Sequence, residues 1–321
     1  TSTFTADTTT NQNAVLGNAA NDFGGVVTLD NTDSGSWQDL TIGDTNELTL
    51  GDVTASGKLD ATAATDLDLD GTIAVNELDA TATSGAITQG DGGTLTVATG
   101  PTTLTAGTDI TLDAATNDFS GTVNATGGDV ALVDGAGGLT LGDVTATGTL
   151  DATSTAGVVD QAAGTIIEVD GATTLIASDG TTDYAITLDN DDHDFGGAVA
   201  ATGSDITLTD RNALELGTLT ASGNLVTKTG SGDAGGGLTQ SGVITVTGTS
   251  TFTADNTTEQ DASLSSQDNK FTGAVSFGPA NGGSWKNIEL KDTDGGILLG
   301  GSAIGGNLFL QSTDGAITQS A

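Results

Sequence analysis

Acidic side chains are concentrated in one short turn of this sequence. Residues 189–194 hold four aspartates, Asp189, Asp191, Asp192 and Asp194, around the only histidine, His193. Carboxylate oxygens are the ligands that Ca²⁺ prefers in proteins. Neither the spacing of an EF-hand nor glycine-rich nonapeptide repeats accompany them, so the sequence predicts at most a weakly bound Ca²⁺ beside solvated aspartates. We expect no other cofactor.

Paired acids could also perform general acid–base chemistry on a polysaccharide. Asn31-Thr32-Asp33 and Asp191-Asp192 match two parts of the pattern of polygalacturonases, which are β-helix enzymes. The other two parts, Gly-His-Gly and Arg-x-Lys, are absent, because His193 has no flanking glycine and Arg211 is the only arginine. We therefore expect no enzymatic activity, and polysaccharide processing stays an alternative.

Aromatic residues offer a second kind of site. Trp37 and Trp285 are the only tryptophans, and both lie on turns that are longer than the corresponding turns elsewhere in the chain. An exposed indole can stack on a sugar or contact a partner. Alternatively, it folds back and covers the interior. If this chain binds a partner, we expect contact at Trp37 and Trp285.

Three sequence signatures recur four times in the same order, and they define the repeats that contain these acidic and aromatic residues. Phe-x-Gly-x-Val begins at Phe23, Phe119, Phe195 and Phe271; Leu-Gly-x5-Gly-x-Leu begins at Leu50, Leu141, Leu216 and Leu299; a closing glutamine lies at Gln89, Gln161, Gln240 and Gln319. Such recurrence indicates a repeat protein. It predicts one rod over 1–321 with internal repeats at 1–97, 98–170, 171–247 and 248–321, and with the four phenylalanines stacked as core plugs.

A shorter period lies within the first repeat. Residues 58–63 return as residues 77–82, a step of 19, and apolar residues alternate with polar ones between the turns. Alternation over three to five residues indicates short half-buried strands. Short strands on a 19-residue step predict an all-β fold, a right-handed parallel β-helix of about 16 coils. Glycine is expected at the corners, where the backbone needs positive φ or bends sharply.

Composition limits the partners. The chain has 43 acidic and 6 basic residues, a net charge of −37 and no cysteine. Such a surface repels phosphate, so nucleic acid and anionic lipid are not expected as partners. No apolar run approaches the roughly 20 residues of a membrane span, so we expect no membrane insertion.

The 19-residue β-coil, the endings Gly85-Ala86-Ile87-Thr88-Gln89 and Gly315-Ala316-Ile317-Thr318-Gln319, and the cysteine-free Thr/Gly/Asp composition resemble the filamentous-haemagglutinin family. These are giant adhesins of Gram-negative bacteria, exported by two-partner secretion. The family's secretion domain carries Asn-Pro-Asn motifs, whereas the only prolines here are Pro101 and Pro279. The resemblance therefore implies a piece of adhesin shaft.

On this basis we expect a structural repeat segment of a secreted or cell-surface bacterial protein, acting as a rigid acidic shaft. A self-assembling extracellular sheath or matrix fibre is the alternative from the same class. The expected partners are neighbouring repeats or copies of the same protein end to end, and a host, cell-surface or glycan receptor.

Overall fold

The computed structural model describes residues 1–6, 10–18, 20–31, 36–90, 92–232, 236–255 and 259–320. Thr32 and Asp33 of the polygalacturonase-like pattern lie outside these residues. The described residues form strands and turns, and no helix among them is long and apolar enough to span a membrane. The chain divides into two compact units, Thr1–Gly157 and Val158–Ala321.

Eighteen strands build the first unit. They are β1 Ser2–Ala6, β2 Gln12–Leu16, β3 Val27–Asn31, β4 Trp37–Asp44, β5 Leu48–Thr54, β6 Lys58–Ala63, β7 Leu67–Leu69, β8 Thr72–Val75, β9 Glu77–Ala82, β10 Ile87–Gln89, β11 Thr94–Val97, β12 Thr102–Ala106, β13 Ile110–Leu112, β14 Asp118–Phe119, β15 Thr122–Gly127, β16 Val130–Asp134, β17 Leu139–Ala146 and β18 Leu150–Ser154.

Nineteen strands build the second unit. They are β19 Val159–Gln161, β20 Ile167–Val169, β21 Thr173–Ala177, β22 Ile186–Leu188, β23 Asp194–Phe195, β24 Val199–Gly203, β25 Ile206–Asp210, β26 Ala213–Ala221, β27 Leu225–Thr229, β28 Gly237–Gln240, β29 Ile244–Val246, β30 Ser250–Ala254, β31 Glu259–Leu264, β32 Lys270–Phe271, β33 Val275–Pro279, β34 Ser284–Asp292, β35 Ile297–Leu299, β36 Leu308–Ser312 and β37 Ile317–Gln319.

Each unit is a parallel β-solenoid, as the alternating pattern predicts. In the first unit, β2, β4, β6, β9, β12, β15 and β17 pair in that order, every pair parallel. In the second unit, β22, β25, β27, β30 and β33 do the same. The all-β parallel solenoid is thus confirmed, and its right-handedness stays a prediction. The rod over 1–321 and the four repeat bounds likewise stay predictions.

The coil length differs from the predicted 19 residues. The 19-residue step is present where Lys58 pairs with Glu77, but Thr102 pairs with Val123 and Leu225 with Ser250. The molecule has about 14 turns spaced about 22 residues apart, fewer than the 16 predicted. Corner loops vary in length without disturbing the stacked strands, so the 19-residue step in one part of the chain does not determine the length of the other coils.

The core is a column of Leu, Ile, Val and Ala side chains that alternate inward along the strands. Phe119, Phe195 and Phe271 are buried in it, as predicted, whereas Phe23 in the first coil is half-buried. These four phenylalanines do not stack on one another: the Phe271 ring meets Phe252 edge-on with centroids 6.3 Å apart. A phenylalanine recurs once per repeat, which is several coils, so the copies lie too far apart to touch.

The signature glycines owe their place to close packing between coils. The glycines with positive φ among the described residues lie outside the Phe and Leu-Gly signatures, so positive φ does not explain the glycines of these signatures. A Cβ on Gly148 would collide with the Asp129 carboxylate, which accepts the Thr149 N–H at 2.7 Å. Glycine is required because the aspartate of the preceding coil occupies the side-chain space.

Candidate functional site

A polar residue stands two positions before the phenylalanine of each Phe-x-Gly-x-Val signature. The four residues are Asn21, Asn117, His193 and Asn269. Asn117, His193 and Asn269 are fully buried. Burying an amide or imidazole is costly unless it is hydrogen-bonded, so the partners of these groups determine what they do.

Asn117 joins three stretches of the first unit. It exchanges two hydrogen bonds with the amide of Gln89, at 2.7 and 2.9 Å. Its Oδ1 also accepts the Leu95 N–H at 3.1 Å, and its Nδ2 donates to the Leu112 carbonyl at 3.1 Å. Gln89 is a closing glutamine, so two separate sequence signatures meet in one hydrogen-bonded pair.

Asn269 repeats this arrangement in the second unit. It exchanges hydrogen bonds with Gln240 at 2.8 Å in both directions. Its Oδ1 accepts the Ile244 N–H at 3.0 Å, and its Nδ2 donates to the Leu264 carbonyl at 2.9 Å. We call the buried Asn or His together with its closing glutamine the polar node.

The node at His193 uses an imidazole in place of the amide. The Ile167 N–H donates to His193 Nδ1 at 2.9 Å, so Nδ1 is the acceptor and Nε2 carries the proton that binds Gln161 Oε1. Burial lowers the pKa of His193 from 6.5 to about 4, although Asp189 and Asp192 act in the opposite direction. The ring is therefore neutral at pH 7 and is held inside the solenoid.

A buried carboxylate lies next to each node. The Oδ2 atom of this carboxylate accepts the N–H of the signature phenylalanine. Its Oδ1 atom accepts the N–H of the residue two positions after the aspartate itself. The four carboxylates are Asp44, Asp134, Asp210 and Asp292, with Phe N–H distances of 2.7, 3.2, 3.1 and 2.7 Å. Each aspartate therefore links two coils. Its Oδ2 atom binds the strand that carries the phenylalanine, and its Oδ1 atom binds the turn that follows the aspartate in a later coil.

Burial shifts the titration of three of these carboxylates. Desolvation raises the pKa of Asp134, of Asp292 and, to about 6, of Asp210. The backbone hydrogen bonds favour the charged form and act in the opposite direction, but desolvation is the larger effect in each case. Asp194 raises the pKa of Asp210 further, and Arg211 lowers it.

The four aspartates of the acidic turn do not converge on one point. Asp189 and Asp192 are exposed; Asp191 forms an ion pair with Lys228, and Asp194 forms one with Arg211. Within the described ranges, no group of three or more His, Asp or Glu side chains could hold a metal ion. Binding of Ca²⁺ at this turn stays a prediction.

Both tryptophans are buried, as in the alternative that the indole folds back and covers the interior. Trp285 is 0% exposed, donates its Nε1–H to the Phe252 carbonyl at 3.2 Å and meets Phe277 edge-on. Trp37 is 7% exposed and donates to the Asp30 carbonyl at 3.1 Å. Both residues lie on strands, Trp37 at the start of β4 and Trp285 in β34, and their rings lie in the core. Partner contact at the two tryptophans stays a prediction, without an exposed ring to support it.

Sequence reasoning identified the closing glutamines and the phenylalanines but missed their polar partners. An Asn or His at the second position before Phe was the available signal in all four copies. The pairing itself could not be deduced, because Gln89 and Asn117 are 28 residues apart in the chain.

Comparison with protein families gives four matches to "Repeats of unknown function (DUF5649)", over residues 38–77, 62–126, 127–202 and 203–278. Together they span about three quarters of the chain. Their number equals that of the Phe-x-Gly-x-Val copies, although their bounds differ from the predicted repeats. No curated protein and no solved structure matches the chain. With a family match over this length and a parallel solenoid as its fold, the chain is a repeat-containing β-solenoid structural protein that belongs to the DUF5649 repeat family.

Proposed function

We propose that this chain is a rigid acidic shaft segment of a large secreted or cell-surface protein, of the adhesin type. The observation that carries the proposal is the role of its recurring polar residues. Gln89, Asn117 and Asp134 bind one another or neighbouring backbone and hold successive coils together. A polar group used in this way stiffens the stack, which is the property that a spacer requires.

Surface charge supports the same role. A net charge of −37 keeps a long structure separate from other anionic surfaces, so a shaft of this kind projects away from an anionic cell envelope. The similarity to filamentous haemagglutinins adds a location, the outside of a Gram-negative cell. A host, cell-surface or glycan receptor would then be bound elsewhere along the same protein.

Pulling the chain between two marker domains in a force microscope tests the mechanical part of the proposal. A shaft segment should unfold in successive high-force steps, with a coil of about 22 residues releasing roughly 75 Å. Asn117→Ala removes one node and should lower the first force peak. Smooth extension at low force, without steps, would contradict a mechanical role.

Antibodies against the purified chain test the location. They should label intact cells that produce the protein. Labelling that requires lysis would contradict a surface shaft.

Polysaccharide processing is the competing function and is tested separately. We expect no new reducing ends when the chain is incubated with polygalacturonate, because the Asp191 carboxylate pairs with Lys228 and His193 is buried. Cleavage that disappears in Asp191→Asn or Asp192→Asn would overturn the structural function.

A further inference from the structure

A lysine, a buried aspartate and an asparagine meet at one corner of the second unit. Asp255 directly follows β30 and is 2% exposed. Its Oδ2 atom lies 3.7 Å from Lys228 Nζ and accepts a hydrogen bond from Asn281 Nδ2 at 3.1 Å. A single carboxylate oxygen therefore contacts both an amine and a side-chain amide. We call Lys228, Asp255 and Asn281 the corner triad.

Stacking of successive coils brings the corner triad together. Lys228 lies on β27, and β27, β30 and β33 pair in that order, each pair parallel. The Asp255 N–H donates to the Thr229 carbonyl at 2.9 Å, so the hydrogen bonding between coils continues beyond the end of β30. Gln260, which is 1% exposed, donates from Nε2 to the carbonyls of Thr229 and Asp255. The backbone thus holds the carboxylate at this corner.

Asn281 reaches the same carboxylate from an uncommon backbone conformation. Its φ is 47°, and among the described residues no other residue except glycine has a positive φ. The Gly283 N–H donates to the Ala280 carbonyl at 2.7 Å and closes the turn around it. Asparagine tolerates the left-handed region better than most residues do. The turn therefore keeps the Asn281 amide against Asp255, on the coil that follows it.

The corner triad contains the groups that an exchange of amide bonds requires. A lysine amine is a nucleophile once it has lost its proton, and a nearby carboxylate can accept a proton from it. The Asn281 Cγ is a carbonyl carbon that an amine can attack, and Nδ2 is then the leaving group. Because Nζ and Nδ2 contact the same Asp255 oxygen, that oxygen can take a proton from one nitrogen and give it to the other. Holding the groups in one place removes the entropic cost of their encounter.

We propose that Lys228 and Asn281 become joined by an isopeptide bond that the chain forms without another enzyme. The neutral Lys228 Nζ attacks Asn281 Cγ, so that an Nζ–Cγ bond forms and the Cγ–Nδ2 bond breaks. Asp255 accepts one proton from Nζ and transfers it to Nδ2, which leaves as ammonia, and the carboxylate is regenerated. The step needs no oxidant and no added reactant. The inference goes beyond the proposed function, since hydrogen bonds alone could hold a shaft together.

The intact mass of the purified chain tests this bond. It should be lower than the mass of the sequence by one ammonia, and digestion should yield a branched peptide that contains both Lys228 and Asn281. Lys228→Arg keeps the positive charge but removes the amine. Asn281→Gly removes the amide and keeps a residue that accepts positive φ. Both variants should have the full mass of their sequences and give no branched peptide.

Two aspartates in contact with the same lysine provide a matched pair of variants. Asp191 also pairs with Lys228, but its side chain is 54% exposed, whereas Asp255 is the carboxylate that contacts both nitrogens. Asp255→Asn should abolish the branched peptide, and Asp191→Asn should keep it. Circular dichroism of each variant verifies that it is folded. Equal amounts of branched peptide in the two variants would overturn the role of Asp255.

A competing reaction at the same asparagine also releases ammonia. Asn281 precedes Gly282, and the Gly282 nitrogen can attack Cγ to form a succinimide, which water opens to aspartate or isoaspartate. That product leaves the Lys228 amine free. A loss of ammonia without a branched peptide, or one that persists in Lys228→Arg, would therefore overturn the isopeptide bond. Acetylation in denaturant should modify every lysine except Lys228, including Lys58, which likewise pairs with two carboxylates.

The force measurement provides a second readout. An isopeptide bond would prevent the segment between Lys228 and Asn281 from extending, so the unmodified chain should reach a total length roughly 180 Å shorter than Lys228→Arg does. Equal lengths, or a full sequence mass in the unmodified chain, would overturn the bond. Either result would leave the shaft proposal standing, because stepwise unfolding of the coils does not require a covalent link.

Discussion

Replacing His193 with asparagine should make the protein gain stability in acid, where the stability of the unmodified protein changes little. The other three copies of the Phe-x-Gly-x-Val signature carry asparagine at this position. An amide can accept the Ile167 N–H and donate to Gln161 Oε1, as the imidazole does. At pH 7 we therefore expect the fold to be kept, with a change of less than about 1.5 kcal/mol in the free energy of unfolding.

The expected change comes from two pKa shifts in opposite directions, one at His193 and one at the neighbouring carboxylate, Asp210. The pKa of His193 is lowered to about 4, so the unfolded chain takes up this proton first, and stability is lost as the pH falls from 6.5 towards 4. The pKa of Asp210 is raised to about 6, so the folded chain takes up that proton first, and stability is gained as the pH falls from 6 towards 3.8.

The two contributions nearly cancel in the unmodified protein. At about 1.4 kcal/mol per pKa unit, lowering the pH from 7 to 4.5 decreases the free energy of unfolding by about 2.5 kcal/mol through His193 and increases it by about 2 kcal/mol through Asp210. The groups facing them, Asp189 and Asp192 at the histidine and Asp194 and Arg211 at the aspartate, are the same in every variant. His193→Asn should thus become about 2 kcal/mol more stable on acidification, and Asp210→Asn about 2.5 kcal/mol less stable.

Urea unfolding at pH 7 and 4.5, at constant ionic strength, measures these changes through circular dichroism and the fluorescence of buried Trp285. Asp151→Asn, an exposed site, should follow the unmodified protein. Because the chain has a single histidine, nuclear magnetic resonance can also titrate His193 without ambiguity. A His193 pKa near 6.5, or equal pH dependence in His193→Asn and the unmodified protein, would refute the reasoning.

Three further changes follow from the packing. Gly148→Ala should cost about 1–3 kcal/mol, because it breaks the hydrogen bond between Asp129 and the next coil, whereas Gly137→Ala, with open space at its Cβ, should leave the melting temperature unchanged. Trp285→Ala should cost about 3–5 kcal/mol of core packing in a denaturation experiment; a loss of glycan binding without a loss of stability would instead restore the contact role. Calcium should raise the melting temperature no more than magnesium at equal concentration, since the aspartates of the acidic turn diverge; a calcium-specific rise that disappears in Asp191→Asn would contradict this.

The sequence alone determined the fold class. Alternation of apolar and polar residues sets which side chains face inward on a strand, and this pattern is local, so Leu48 and Leu50 or Leu67 and Leu69 can be assigned to the core without coordinates. Because the Phe and Leu-Gly signatures recur, the coils that carry the same signature in different repeats must be structurally equivalent. The 19-residue step is present only where the corners are short, as between Leu40 and Ala82 and between Ile206 and Thr229.

Only the tertiary structure decided which polar residues matter. Asn117 and Gln89 look like ordinary turn residues in the sequence, and they become a hydrogen-bonded pair because an intervening coil of variable length brings them together. The sequence left the position of the tryptophans open for the same reason: an indole can project or turn inward, and packing against Phe277 holds Trp285 in the core. Alternation along a strand determines on which face of the strand a side chain lies. The neighbours of that side chain come from other coils, and only the stacking of the coils determines which residues they are.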